Sequence, residues 1–175
     1  MKYPNGLVLS GLILVLLPMP TCAHIGIESL SELRVSQAFM TGVLHPLLGI
    51  DHFLVMLCFG FWVALLRGRA LWLLPCLFLV MMIIGAGMPV LGITLATIEF
   101  WAALSVLACG AGLFWAHRQG VVAWLAALLT SVFAVSHGYE HAVETAPDLV
   151  GYISGFLLTS VLLQGLGILL CWRGG

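Results

Sequence analysis

The stretch His45-Pro46-Leu47-Leu48-Gly49-Ile50-Asp51-His52 sets two imidazoles and a carboxylate within eight residues of otherwise apolar sequence. Proline removes a backbone donor and crowds the preceding turn, and glycine is a poor helix former, so one uninterrupted helix cannot run through here. Pro46 is expected to push Leu44 and His45 toward a helix end, while Gly49 permits a sharp re-entry and Asp51 and His52 open the helix that follows. Broken backbone beside polar side chains is how membrane proteins build ion sites.

Outward from this stretch the chain is greasy, with 62% hydrophobic and 7% charged residues and a mean hydropathy of +1.18. So much apolar surface with so little polar cover specifies an integral membrane protein, with the lipid bilayer as its solvent. The six Lys/Arg are spread singly, leaving no basic patch, and nucleic-acid binding is excluded. The cysteines have no CxxC spacing; Cys58, Cys76, Cys109 and Cys171 each sit in an apolar run and read as small buried hydrophobes. Without a Gly-rich phosphate loop, the chain does not itself hydrolyse ATP.

Lys2, an apolar run over 6–17 and the segment Pro18-Met19-Pro20-Thr21-Cys22-Ala23 have the plan of a secretory leader, so residues 1–23 read as a signal peptide and 24–175 as a single transmembrane domain. Cleavage after Ala23 would make His24 the new N-terminus, with an amine and an imidazole on one residue. Ser29 and Glu32 have capping-box spacing ahead of a helix over about 30–44, which is too short and too polar to span. Five spans follow, at about 50–66, 70–88, 97–116, 121–136 (running on toward His141) and 151–170. The expected fold is therefore all-α: a polytopic membrane helix bundle of five transmembrane helices after an N-terminal signal peptide, plus one short interfacial or re-entrant helix. Trp62, Trp72, Trp101, Trp115 and Trp172 lie near span ends and read as interfacial anchors. Gly85-Ala86-Gly87 and the pairs Gly110/Gly112, Gly151/Gly155 and Gly165/Gly167 read as helix-contact faces.

Arg67 and Arg69 follow the first span, Arg118 the third and Arg173 the fifth, which assigns those ends to the cytoplasm and the mature N-terminus to the other side. All seven acids (Glu28, Glu32, Asp51, Glu99, Glu140, Glu144 and Asp148) then fall on the outer side, with five of the six histidines; only His117 lies inside. A second cluster, Ser136-His137-Gly138-Tyr139-Glu140-His141, ends the fourth span. On a helix, His137 lies one turn from both Glu140 and His141, so the three can point at one spot. Imidazole with carboxylate is the ligand set of borderline divalent metals such as nickel, cobalt and zinc, and the lack of thiolate disfavours copper(I). Ionisable groups this close to a bilayer are expensive and usually functional. His137-x-x-Glu140-His141 also satisfies the inverted zinc-protease pattern, and paired histidines on facing helices can clamp a haem, but imidazoles clustered at one end beside carboxylates prefer a hydrated cation.

At these residues the chain resembles the HupE/UreJ family of hydrogenase and urease accessory membrane proteins. His45-Pro46-Leu47-Leu48-Gly49-Ile50-Asp51-His52 looks like the family's H-P-x-x-G-x-D-H signature, and Phe133-Ala134-Val135-Ser136-His137-Gly138-Tyr139-Glu140 is similar to its His-Gly-x-Glu segment. Ala23-His24 after a leader, Glu99 ahead of Ala103-Leu104-Ser105-Val106-Leu107, and Gly155-Phe156 also fit. The resemblance implies uptake of nickel, sometimes cobalt, across the bacterial inner membrane, with nickel-enzyme maturation proteins as partners. Gln164 departs from it, standing where relatives are expected to carry histidine, and glutamine is a poor nickel ligand. The expected metal ligands are His45, Asp51, His52, His137 and Glu140, with His141 and Glu99 next and His24 as a flexible captor at the entrance. A permease reading and a non-transporting metal-delivery reading both follow from this ligand set.

Overall fold

The computed structural model describes residues 35–115, 120–144 and 148–174. The expected leader, His24, the Ser29/Glu32 box, His117 and Arg118 lie outside the described residues. Six helices lie among the described residues: α1 Val35–Leu48, α2 Ile50–Leu66, α3 Ala70–Val90, α4 Ile98–Trp115, α5 Val121–Glu144 and α6 Leu149–Gly174. Among the described residues there is no strand. Asp148 starts α6 by accepting the Gly151 N–H at 3.1 Å, a side-chain cap at a helix N-terminus. Helix α6 lies along both α1 and α2, α5 lies along α3, and α4 packs on α5 and α2.

The chain does break between His45 and His52, but at Gly49 rather than at Pro46. Pro46 sits inside α1, fully buried, because a proline near a helix C-terminus forfeits only one backbone bond. Helical bonding continues through the Gly49 N–H to the His45 carbonyl at 2.9 Å, and the Gly49 carbonyl already accepts from Phe53, also at 2.9 Å. Gly49 itself is extended, with φ −79° and ψ 102°. One residue thus separates two helices bent by 72°. The expected end of the first helix near Leu44 moves four residues on, to Leu48.

Glycine lets the helices touch backbone to backbone. A Cβ on Gly42 of α1 would strike the Tyr152 carbonyl of α6, and one on Gly155 would strike the Phe39 carbonyl of α1. The same reciprocity holds between α2 and α6, where Gly60 meets Gln164 and Gly167 meets Leu57, and between α3 and α5, where Gly85 meets Val135 and Gly138 meets Met82. With lipid outside, helices gain most by such close approach. Of the glycines expected at contacts, Gly85, Gly112, Gly155 and Gly167 are there, whereas Gly87 and Gly165 have nothing within 4 Å. Trp62 is no interfacial anchor: it is fully buried, against Gly112 and 6.2 Å edge-on to Phe59. Cys76 is exposed rather than buried, while Cys109 is buried.

Among the described residues, three helices are long and apolar enough to cross a membrane: α3, α5 over Val121–Val143, and α6. The bent pair α1–α2 passes the same test when taken together, as a broken span or a re-entrant loop. Outward faces carry bare apolar side chains such as Trp72, Val80, Ile83, Leu129 and Leu162, the surface a lipid-facing bundle needs. Gly60 and Gly167 pair toward the C-terminal ends of α2 and α6, so those helices run parallel, and Arg67 and Arg173 lie at one end of the bundle. The last turns of α3 meet the last turns of α5, which puts Arg69 at that same end. Every described arginine is therefore remote from His52, His137 and His141.

Candidate metal-ion site

In a straight helix His45 and His52 would stand two turns and about 10 Å apart along the axis. The bend at Gly49 folds that separation away, and their ring centroids are 5.0 Å apart, nearly perpendicular. His45 closes α1 and His52 opens α2, so one glycine joins the two elements that carry them. The third imidazole comes from α5: His141 stands 4.6 Å from His45 and 4.9 Å from His52, centroid to centroid. One ligand nitrogen from each of the three lies within 4.8 Å of the other two.

Helix α6 supplies the wall. Phe156, fully buried, packs on His45 at 5.7 Å, His52 at 5.8 Å and His141 at 4.7 Å. Tyr152, one turn earlier, flanks His45 at 5.9 Å and His141 at 6.1 Å. The crossing of Gly42 and Gly155 holds this wall against α1, and Thr159 donates to the Val43 carbonyl at 2.9 Å. His141 is 2% exposed, whereas His45 and His52 are half-buried. His141 is thus enclosed, while His45 and His52 at the α1–α2 bend each keep part of the side chain exposed.

The two Nε2 atoms of His52 and His141 are 3.0 Å apart. At that distance one ring donates to the other, unless a cation replaces the shared proton.

Of the residues expected as ligands, the structure brings His45, His52 and His141 together, the last of them ranked second by the sequence. His137 is buried but stands at the edge, 6.0 Å from His52. Glu140 is half-buried on the same stretch of α5. Asp51 lies in the first turn of α2 and Glu99 in the first turn of α4, with side chains outside the described residues. Sequence reasoning missed Tyr152; its spacing of four from Phe156, astride a packing glycine, was the available signal. Tyr139, between His137 and His141, accepts the Leu95 N–H at 3.2 Å and so ties the α3–α4 turn to the site-bearing end of α5.

A family model described as HupE / UreJ protein matches residues 12–174 of the chain. Protein HupE of Rhizobium leguminosarum bv. viciae is 33% identical over 170 residues, which cover 96% of this chain and 83% of that protein. No solved structure matches.

Proposed function

We propose, on the premise that this chain belongs to the HupE/UreJ family, that it is a nickel or cobalt permease supplying hydrogenase or urease maturation. In this reading the cation is cargo, and His45, His52 and His141 capture it at the outer end of the bundle, with His137, Asp51, Glu140 and Glu99 as further donors and His24 as a first contact at the entrance. Helices α2 to α6 serve as five spans after a cleaved leader, and α1 as the re-entrant arm that delivers His45. The arginine-bearing ends face the cytoplasm of a bacterial inner membrane, as the charge bias of membrane proteins favours.

The observation that carries the reading is the convergence of three imidazoles, drawn from three helices, on one spot beside a broken backbone. A chain that merely tolerated histidine at a membrane interface would not fold a proline-bearing helix back to bring two of them within 5.0 Å. Uptake of radioactive nickel into sealed proteoliposomes containing only this protein tests it. Accumulation by wild type, abolished in His52→Ala and His141→Ala proteins that still insert, is expected. Absence of flux from wild-type vesicles whose protein still binds nickel would instead make it a delivery partner.

A further inference from the structure

We propose that the Gln164 side chain and the Met56 thioether form a second, low-affinity station for the same divalent cation, on the inward side of the imidazole cluster. This deepens the permease reading and rests on it. Met56 follows His52 by four residues on α2, which is about 6 Å along the helix axis. Gln164 follows Phe156, the wall of the cluster, by two turns of α6. The two side chains meet in the core, Gln164 Nε2 standing 3.6 Å from Met56 Sδ.

Gln164 is 2% exposed, and Met56 1%. Its Oε1 accepts no hydrogen bond among the described residues. Exchanging the amide oxygen and nitrogen would not help, because a thioether sulfur accepts but cannot donate. An amide buried with an idle carbonyl carries the desolvation penalty of that group, and a leucine would fill the same space without it. The backbone here is also fixed, since Gly60 and Gly167 bring α2 and α6 into contact at this level and a Cβ on Gly60 would strike the Gln164 carbonyl. With the amide turned so that Oε1 rather than Nε2 faces Met56 Sδ, the uncompensated oxygen and the polarisable sulfur would meet on one cation.

Both donors are neutral, and an amide is a weak ligand for borderline metals. That weakness suits a transit step, which must bind well enough for the ion to arrive and poorly enough for it to leave. Beyond the station, Phe59, Trp62 and Phe78 form a fully buried aromatic layer, with Phe59 and Phe78 5.2 Å apart. The cation would pause at Gln164 until that layer parts.

Nickel binding by equilibrium dialysis, nickel-edge X-ray absorption and proteoliposome flux, measured on wild type, Gln164→Leu, Met56→Leu and Gln164→His, test the proposal. Leucine preserves volume at both positions and removes no satisfied bond except the amide–sulfur contact, so both variants should fold. Wild type is expected to bind one nickel tightly and one weakly, with a sulfur neighbour seen only at the higher loading and lost in Met56→Leu. Gln164→Leu should keep the tight site, lose the weak one and carry nickel about tenfold more slowly, a change of one decade in rate. Gln164→His should turn the weak site tight and slow release. Two-site binding and full flux in both leucine variants would overturn the station while leaving the imidazole cluster standing. Failure of wild type to bind any nickel would overturn the permease reading and the station with it.

Discussion

Replacing Gly42 by alanine should cripple metal binding without touching a ligand. Its Cβ would strike the Tyr152 carbonyl, with Phe156 backbone beside it, so α1 and α6 must part by on the order of 1 Å to reach van der Waals contact. His45 lies three residues further on the same helix face, and Tyr152 and Phe156 are the wall of the cluster. Metal–ligand distances tolerate about 0.2 Å, so His45 would drop out of a set that His52 and His141 still form. Displacing a supporting contact of this kind typically weakens a metal by about 10–100-fold, or about 1.4–2.8 kcal/mol. Isothermal titration of nickel into detergent-purified protein, with size-exclusion profiles to confirm folding, reads the change. Gly165→Ala is the control: nothing lies within 4 Å of that position, so affinity should hold and the helix gain about 0.5–1 kcal/mol. A folded Gly42→Ala protein binding nickel as wild type does would refute the argument that the α1–α6 crossing sets the position of His45.

Between the two histidines of α5, His141→Ala should weaken nickel binding by a decade or more beyond His137→Ala, because His141 stands within 4.9 Å of both partner rings and His137 stands 6.0 Å from one of them; a reversed order in the same titration would contradict the geometry. Protons compete with a cation for imidazole nitrogen, so nickel affinity should fall as the pH is lowered; titrations repeated at successively lower pH check the sign, and affinity rising as pH falls would be inconsistent with neutral imidazole ligands. Tyr139→Phe removes the acceptor of the Leu95 N–H, and should lower thermal stability by about 1 kcal/mol while leaving nickel affinity within twofold; thermal melts with and without nickel separate the two effects.

Much of this was legible in the sequence. Composition fixes the membrane class, and the proline and glycine of the 45–52 stretch announce a break. The position and angle of that break are not written there. The chain turns at Gly49 while Pro46 stays buried inside the helix, and the 72° bend decides whether two histidines seven residues apart meet or diverge. His137 and His141 share a helix face by spacing alone, and only the rotation of α5 against α2 puts the second deeper in the cluster. Glycines two apart, such as Gly165 and Gly167, face different directions on a helix, so one packs and the other does not. Trp62 misleads for a related reason: closeness to a span end says nothing about which face of α2 it occupies, and that face is turned to Gly112.

Whether the three imidazoles share one ion can be seen by anomalous X-ray diffraction at the nickel edge from protein crystallised with nickel. A strong peak is expected within bonding distance of His45, His52 and His141 together, about 2.1 Å from each. A strong peak elsewhere, with His52 and His141 still hydrogen-bonded to each other, would contradict it.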